Sequence, residues 1–112
     1  MLDIELVPCN KISKAVEIFS RDGFVALSDT LTPAQLAFAQ AGAQRVVEEQ
    51  HRATPFKEAN RGYARYSFGQ QIHHPEWAML VDLSTVLPVL DAIWNSKDYT
   101  CSGAGGDYSH PG

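Results

Sequence analysis

Only three short stretches of this 112-residue chain read as β-strand, and that scarcity decides what it can fold into. Phe24 to Leu27 is an apolar run following a glycine. Tyr63 to Phe68 is aromatic-rich and lies between Gly62 and Gly69. Tyr99 to Ser102 runs into the cluster Gly103-Ala104-Gly105-Gly106. Such runs, bounded by turn residues, are strand signals. Alternation in the second puts Tyr63, Arg65 and Ser67 on one face and Ala64, Tyr66 and Phe68 on the other. Three strands close neither a barrel nor a sandwich, so helices must supply much of the core. The expected class is α+β, in one domain spanning 1–112.

The helical signals are stronger. Lys11 to Arg21 carries Ile12, Val16 and Phe19 on one face, and Asp22-Gly23 stops it, because glycine tolerates the left-handed backbone that ends a helix. Thr32-Pro33-Ala34-Gln35 is a helix start, with a capping hydroxyl, a proline at the first position and a glutamine placed for a capping box. From it a helix is expected over Pro33 to about Gln50, with Leu36, Ala39, Ala43, Val46 and Val47 inward. Arg45, Glu48 and Glu49 are expected outward. His51 to Gly62 reads as a polar loop. His74-Pro75-Glu76 opens a further helix with Trp77, Leu80, Val81 and Ser84 inward, and Leu87-Pro88 opens another that ends at Asn95. Asp107 to Gly112 reads as loop.

Composition narrows the function. Nine basic against thirteen acidic side chains give a net charge of -4, which argues against a non-specific nucleic-acid binder. No apolar run approaches the ~20 residues of a membrane span. The start lacks the basic segment of a signal peptide, and Ser109-His110-Pro111-Gly112 matches no sorting signal. Cys9 and Cys101 form neither a disulfide framework nor a zinc motif. The expected compartment is the cytoplasm.

Few residues carry candidate chemistry. His74-x-Glu76 with His110 has the composition of a two-histidine, one-carboxylate iron site. That set needs its first pair on an extended strand, whereas Pro75 predicts a helix start, where residues two apart diverge. Serving the helix N-terminus is the expected role of His74 and Glu76. Gly103-Ala104-Gly105-Gly106-Asp107 lacks the lysine and hydroxyl of a phosphate loop; glycines there suit close backbone or ligand approach. Arg65, the only strand-borne cation, suits either a bidentate clamp on a carboxylate or phosphate, or a salt bridge to a neighbouring acid.

Taken together, Phe19 to Leu27 with its "DGF" turn, Leu31-Thr32-Pro33-Ala34-Gln35-Leu36, Arg65-Tyr66-Ser67-Phe68-Gly69, His74-Pro75-Glu76-Trp77-Ala78, Asp98-Tyr99 and Gly103 to Tyr108 resemble the phytanoyl-CoA dioxygenase family. The resemblance implies a double-stranded β-helix, or jelly roll, with helices outside it, of which this chain holds the N-terminal helices and first strands, the core being incomplete. It implies that the complete enzyme uses Fe(II) and 2-oxoglutarate to hydroxylate a small or lipid-like organic molecule. The family's H-x-D occurs nowhere in the chain, so no catalytic or metal-binding residue and no cofactor are expected for it alone. Arg65, Tyr66, Asp107, Tyr108 and His110 are the expected pocket-lining residues. The alternative function is a stand-alone α+β interaction module derived from that family. No nucleic-acid partner is expected, and oligomeric state is not legible.

Overall fold

The computed structural model describes residues 3–111. In chain order its elements are β1 (Leu6–Pro8), α1 (Ile12–Asp22), β2 (Ala26–Ser28), α2 (Pro33–Ala53), β3 (Arg65–Ser67), α3 (Pro75–Val81), α4 (Leu87–Trp94) and β4 (Asp107–Ser109), with one 3-10 turn at Phe56–Glu58. The class is mixed α+β. The described strands form two two-stranded sheets and no closed barrel. The chain divides into two compact units, residues 1–33 with 82–100 and residues 34–81 with 101–112.

In the first unit β1 and β2 run parallel, pairing Leu6 with Ala26, Val7 with Leu27 and Pro8 with Ser28, with α1 as the crossover. β1 is absent from the sequence reading, since three residues are too few to show a period. Val7, Ala15, Ile18 and Val89 form the core, with Ile12, Val25, Leu27 and Ile93 packed around it. The inward stripe of α1 is thus Ile12, Ala15 and Ile18; Val16 and Phe19, expected with Ile12, are half-buried. A stripe at i, i+3, i+6 runs through a small alanine, which a hydropathy pattern weighs lightly. The helix stops where expected: Gly23 has φ 81° and its N–H donates to the Phe19 carbonyl at 2.8 Å. α4 likewise ends on Asn95, left-handed at φ 50°. The Thr85 hydroxyl donates to the Thr30 carbonyl at 2.6 Å, linking segments 55 residues apart.

In the second unit α2 begins at Pro33 as expected and continues to Ala53. Its inward face differs from the expected one. Gly42 and Val46 are buried, whereas Leu36 and Ala43 are exposed. The cause is α3: a Cβ on Gly42 would overlap the Glu76 side chain, so the helix turns its side-chain-free position toward the start of α3. Arg45, expected outward, pairs with Glu76, which is only 3% exposed. The His74 carbonyl accepts the first helical bonds of α3, from Trp77 at 3.1 Å and Ala78 at 3.0 Å. The helix-start role therefore belongs to the His74 backbone, while the Glu76 side chain crosses to α2. Trp77 is buried, but Leu80 and Ser84, expected inward, are exposed. Among the described residues, no helix is long and apolar enough to cross a membrane.

Burial alone would raise the pKa of Glu76. A hydrogen bond from its own backbone amide and the Arg45 guanidinium outweigh it and hold the carboxyl below the usual carboxylate value. A folded-state pKa below the unfolded one contributes stability above the unfolded value, 4.5, that is lost as pH falls through the folded one. Glu76→Gln should therefore melt several degrees lower at neutral pH. That gap should narrow as pH drops below 4.5, measured by thermal unfolding of both proteins across the acid range. A gap independent of pH contradicts the assignment.

Candidate functional site

β3 and β4 pair antiparallel, with Arg65 opposite Ser109, Tyr66 opposite Tyr108 and Ser67 opposite Asp107. The second strand is displaced from its expected place: Tyr99 to Ser102 is irregular, and Asp107–Ser109, expected as loop, is the strand. The glycines explain the shift. A Cβ on Gly103 would overlap the Gln70 side chain, on Gly105 the Gly69 carbonyl, and on Gly106 the Phe68 ring. The run lies flat along residues 68–70, held by bonds from Ala104 N–H to Gln70 Oε1 at 2.8 Å and from Gln71 N–H to the Ala104 carbonyl at 2.6 Å. These glycines serve close backbone approach.

Directly opposed residues share a face, so the two strands have one aromatic and one polar side. On the aromatic side Tyr66 is 1% exposed and stacks on Tyr108, with ring centroids 5.1 Å apart and planes 12° from parallel. The Tyr66 hydroxyl donates to the Thr54 carbonyl at 2.8 Å, just past the end of α2. The Tyr108 hydroxyl reaches the Val47 carbonyl within α2 at 3.5 Å. Burial, with Tyr66 adding to it, pushes the Tyr108 phenol above its usual value. His51, in the last turn of α2, packs its imidazole against Phe56, Tyr66, Tyr108 and His110, at centroid distances of 5.2 to 5.7 Å. His51 and Phe56 were not singled out in the sequence. Helical spacing from Val47 would have placed His51 on the same side, had the helix been extended past Gln50.

On the polar side stand Arg65, Ser67, Asp107 and Ser109. With Arg61, Tyr66 and Tyr108, three of them (Arg65, Asp107 and Ser109) line an open concavity of about 500 Å³. Of the residues singled out in the sequence, Arg65, Tyr66, Asp107 and Tyr108 are brought together there. His110 lies at the end of β4 in contact with the His51 and Phe56 rings instead. Among the described residues, Arg61, Arg65 and Asp107 make no ion pair, which leaves a net charge of one positive on this lining. The turn before β3 is tightly built: Gly62 has φ 109°, and Ala64 has φ 56°, unusual for a residue with a Cβ. Ala64 is held there by its N–H to the Phe56 carbonyl at 2.9 Å and by the His110 N–H on its own carbonyl at 2.8 Å. A Cβ on Gly62 would overlap the Arg65 guanidinium, so the turn gives that side chain room to lie across it.

No group of three or more His, Cys, Asp or Glu side chains converges among the described residues. Glu76, the carboxylate of His74-x-Glu76, is engaged by Arg45 on the other side of its helix start. The residues present therefore do not fit the iron-binding set of the family that the sequence resembles. Cys101 is exposed, its thiol 3.2 Å from the Gly103 carbonyl. Comparison with known proteins returned no match to a family model, to a curated protein or to a solved structure.

Two outcomes test this geometry. Tyr66→Phe should destabilise the protein by about 0.5–1.5 kcal/mol in urea unfolding, the net worth of the hydrogen bond lost to the half-buried Thr54 carbonyl; an unchanged midpoint contradicts the bond to Thr54. In a spectrophotometric titration, Tyr108→Phe should remove a tyrosine that ionises above pH 10. Loss of one that ionises below pH 10 contradicts its burial.

Proposed function

We propose that this chain is the N-terminal part of an iron(II)- and 2-oxoglutarate-dependent dioxygenase of the phytanoyl-CoA dioxygenase type. On this reading the complete enzyme is cytoplasmic and hydroxylates a small or lipid-like organic molecule, and β3 and β4 are early strands of its jelly roll. The observation that carries the reading is the pairing of β3 with β4. Arg65 to Gly69 and Gly103 to Tyr108, two of the segments that carry the resemblance, are some forty residues apart in sequence, and the strands Arg65–Ser67 and Asp107–Ser109 pair antiparallel.

In the complete enzyme iron would activate oxygen for hydroxylation. The donors are not assembled from the residues described here, so no step is assigned to them. This chain would contribute the concavity lined by Arg61, Arg65, Asp107 and Ser109, with the Tyr66–Tyr108 stack beneath it. The reading is tested on the transcript. Translation beyond the Gly112 codon should give an H-x-D motif within a few tens of residues and a later histidine and arginine. An in-frame stop directly after Gly112 overturns it in favour of a stand-alone interaction module.

A further inference from the structure

Positive charge is concentrated in one stretch of this chain. Residues 52–65 hold four of its nine basic side chains, Arg52, Lys57, Arg61 and Arg65, and one of its thirteen acids, Glu58. Four against one leaves that stretch positive by three, in a chain whose total is -4. Lys14, Arg21 and Arg45, outside it, each pair with an acid. The four cations of residues 52–65 are exposed and make no ion pair among the described residues.

Three of the four are gathered by a single loop. The Ala64 N–H donates to the Phe56 carbonyl at 2.9 Å, which brings the backbone around Lys57 next to that around Arg65. The Arg61 N–H donates to the Arg65 carbonyl at 3.1 Å and sets the third beside β3. The Asn60 amide holds this loop to the strand by its two bonds to Ser67. A Cβ on Gly62 would meet the Arg65 guanidinium, so the bare glycine gives that group its place.

Arg61 and Arg65 line the concavity of about 500 Å³, with Asp107 as its one acid. Strand register makes Asp107 a diagonal neighbour of Arg65 on the same face, within reach of a long side chain. The two nevertheless do not pair, which leaves the guanidinium donors open to a ligand. The site lies on the face of the sheet and its cations on the β3 side. A strand laid beside β4 would leave them in place.

We infer that Arg61 and Arg65 bind an oxyanion in this concavity, the carboxylate or phosphate group of a small molecule. A guanidinium presents two parallel N–H donors that match such a group, and a lining with more cations than acids favours it over a neutral one. Lys57, on the same loop, adds attraction at longer range. The inference rests on these cations and not on the oxygenase reading.

The test is a nuclear magnetic resonance titration of the protein, replacing sodium chloride by sodium phosphate or by sodium acetate at constant ionic strength. The Arg61 and Arg65 Nε–H signals should shift saturably with at least one of the two, half-complete at a concentration on the order of 1 mM. The tighter of the two identifies the group. Arg65→Gln should weaken that binding about tenfold, and Arg65→Lys, which keeps the charge without the paired donors, about threefold. Asp107→Asn removes the acid of the lining and should tighten binding about threefold. All three substitutions are at exposed positions. Arg21→Gln, outside the loop, should change nothing. Signals that do not move, or shifts that never saturate, overturn the inference. So does saturable binding that Arg65→Gln and Asp107→Asn both leave unchanged.

Discussion

The side-chain amide of Asn60 occupies the place of a neighbouring strand, and the outer edge of β3 depends on it. With Oδ1 on the Ser67 N–H and Nδ2 on the Ser67 carbonyl, it imitates one rung of a ladder. Without that rung, β3 would keep only the Arg65 bonds to Arg61 and Gly62 on that edge and three residues of β4 on the other. Short strands of this kind are marginal in water. The clamp also draws the chain from Asn60 to Gly62 back alongside β3, which forces the left-handed backbone at Gly62 and Ala64. The Arg61 and Arg65 side chains line one concavity as a consequence of that turn.

The other face of the same strands is fixed by aromatic contact and by α2. Tyr66 and Tyr108 stack, and their hydroxyls reach carbonyls at Thr54 and Val47. Two strands that cannot stand alone are thereby attached to the longest helix. At the opposite flank of α2, Gly42 lets α3 approach and the Arg45–Glu76 pair fixes its start. One helix thus orders both neighbours, by tyrosine hydroxyls on one side and by a buried ion pair on the other.

What could be read in the sequence follows the length of the signal. Proline at position 33, Gly23 after α1 and Asn95 after α4 act through their own backbone preferences, and each stands where the sequence put it. The alternation from Tyr63 to Phe68 also sorts as expected, with Ala64 and Tyr66 buried and Tyr63 and Arg65 exposed. The errors arise where a small residue or a distant partner decides. Gly42 turned the face of α2, and Ala15 turned that of α1, because hydropathy scores size and polarity but not the need for closeness. Local pattern keeps Glu76 at its own helix end because its partner Arg45 is thirty-one residues away. The strand signal falls earlier than β4 because glycines pressed against residues 68–70 resemble the end of a strand when read in one dimension. The juxtaposition of Arg65 with Asp107 and Tyr66 with Tyr108 is a matter of long-range register, which no local pattern contains.

The most direct test of the central claim is amide hydrogen exchange, resolved at Arg65, Ser67, Asp107 and Ser109. A closed β3 edge predicts slow exchange at Arg65 and Ser67, whose N–H groups are bonded to the Gly62 carbonyl and Asn60 Oδ1, and fast exchange at Asp107 and Ser109. Exchange at Ser67 as fast as at Ser109 would contradict the Asn60 clamp.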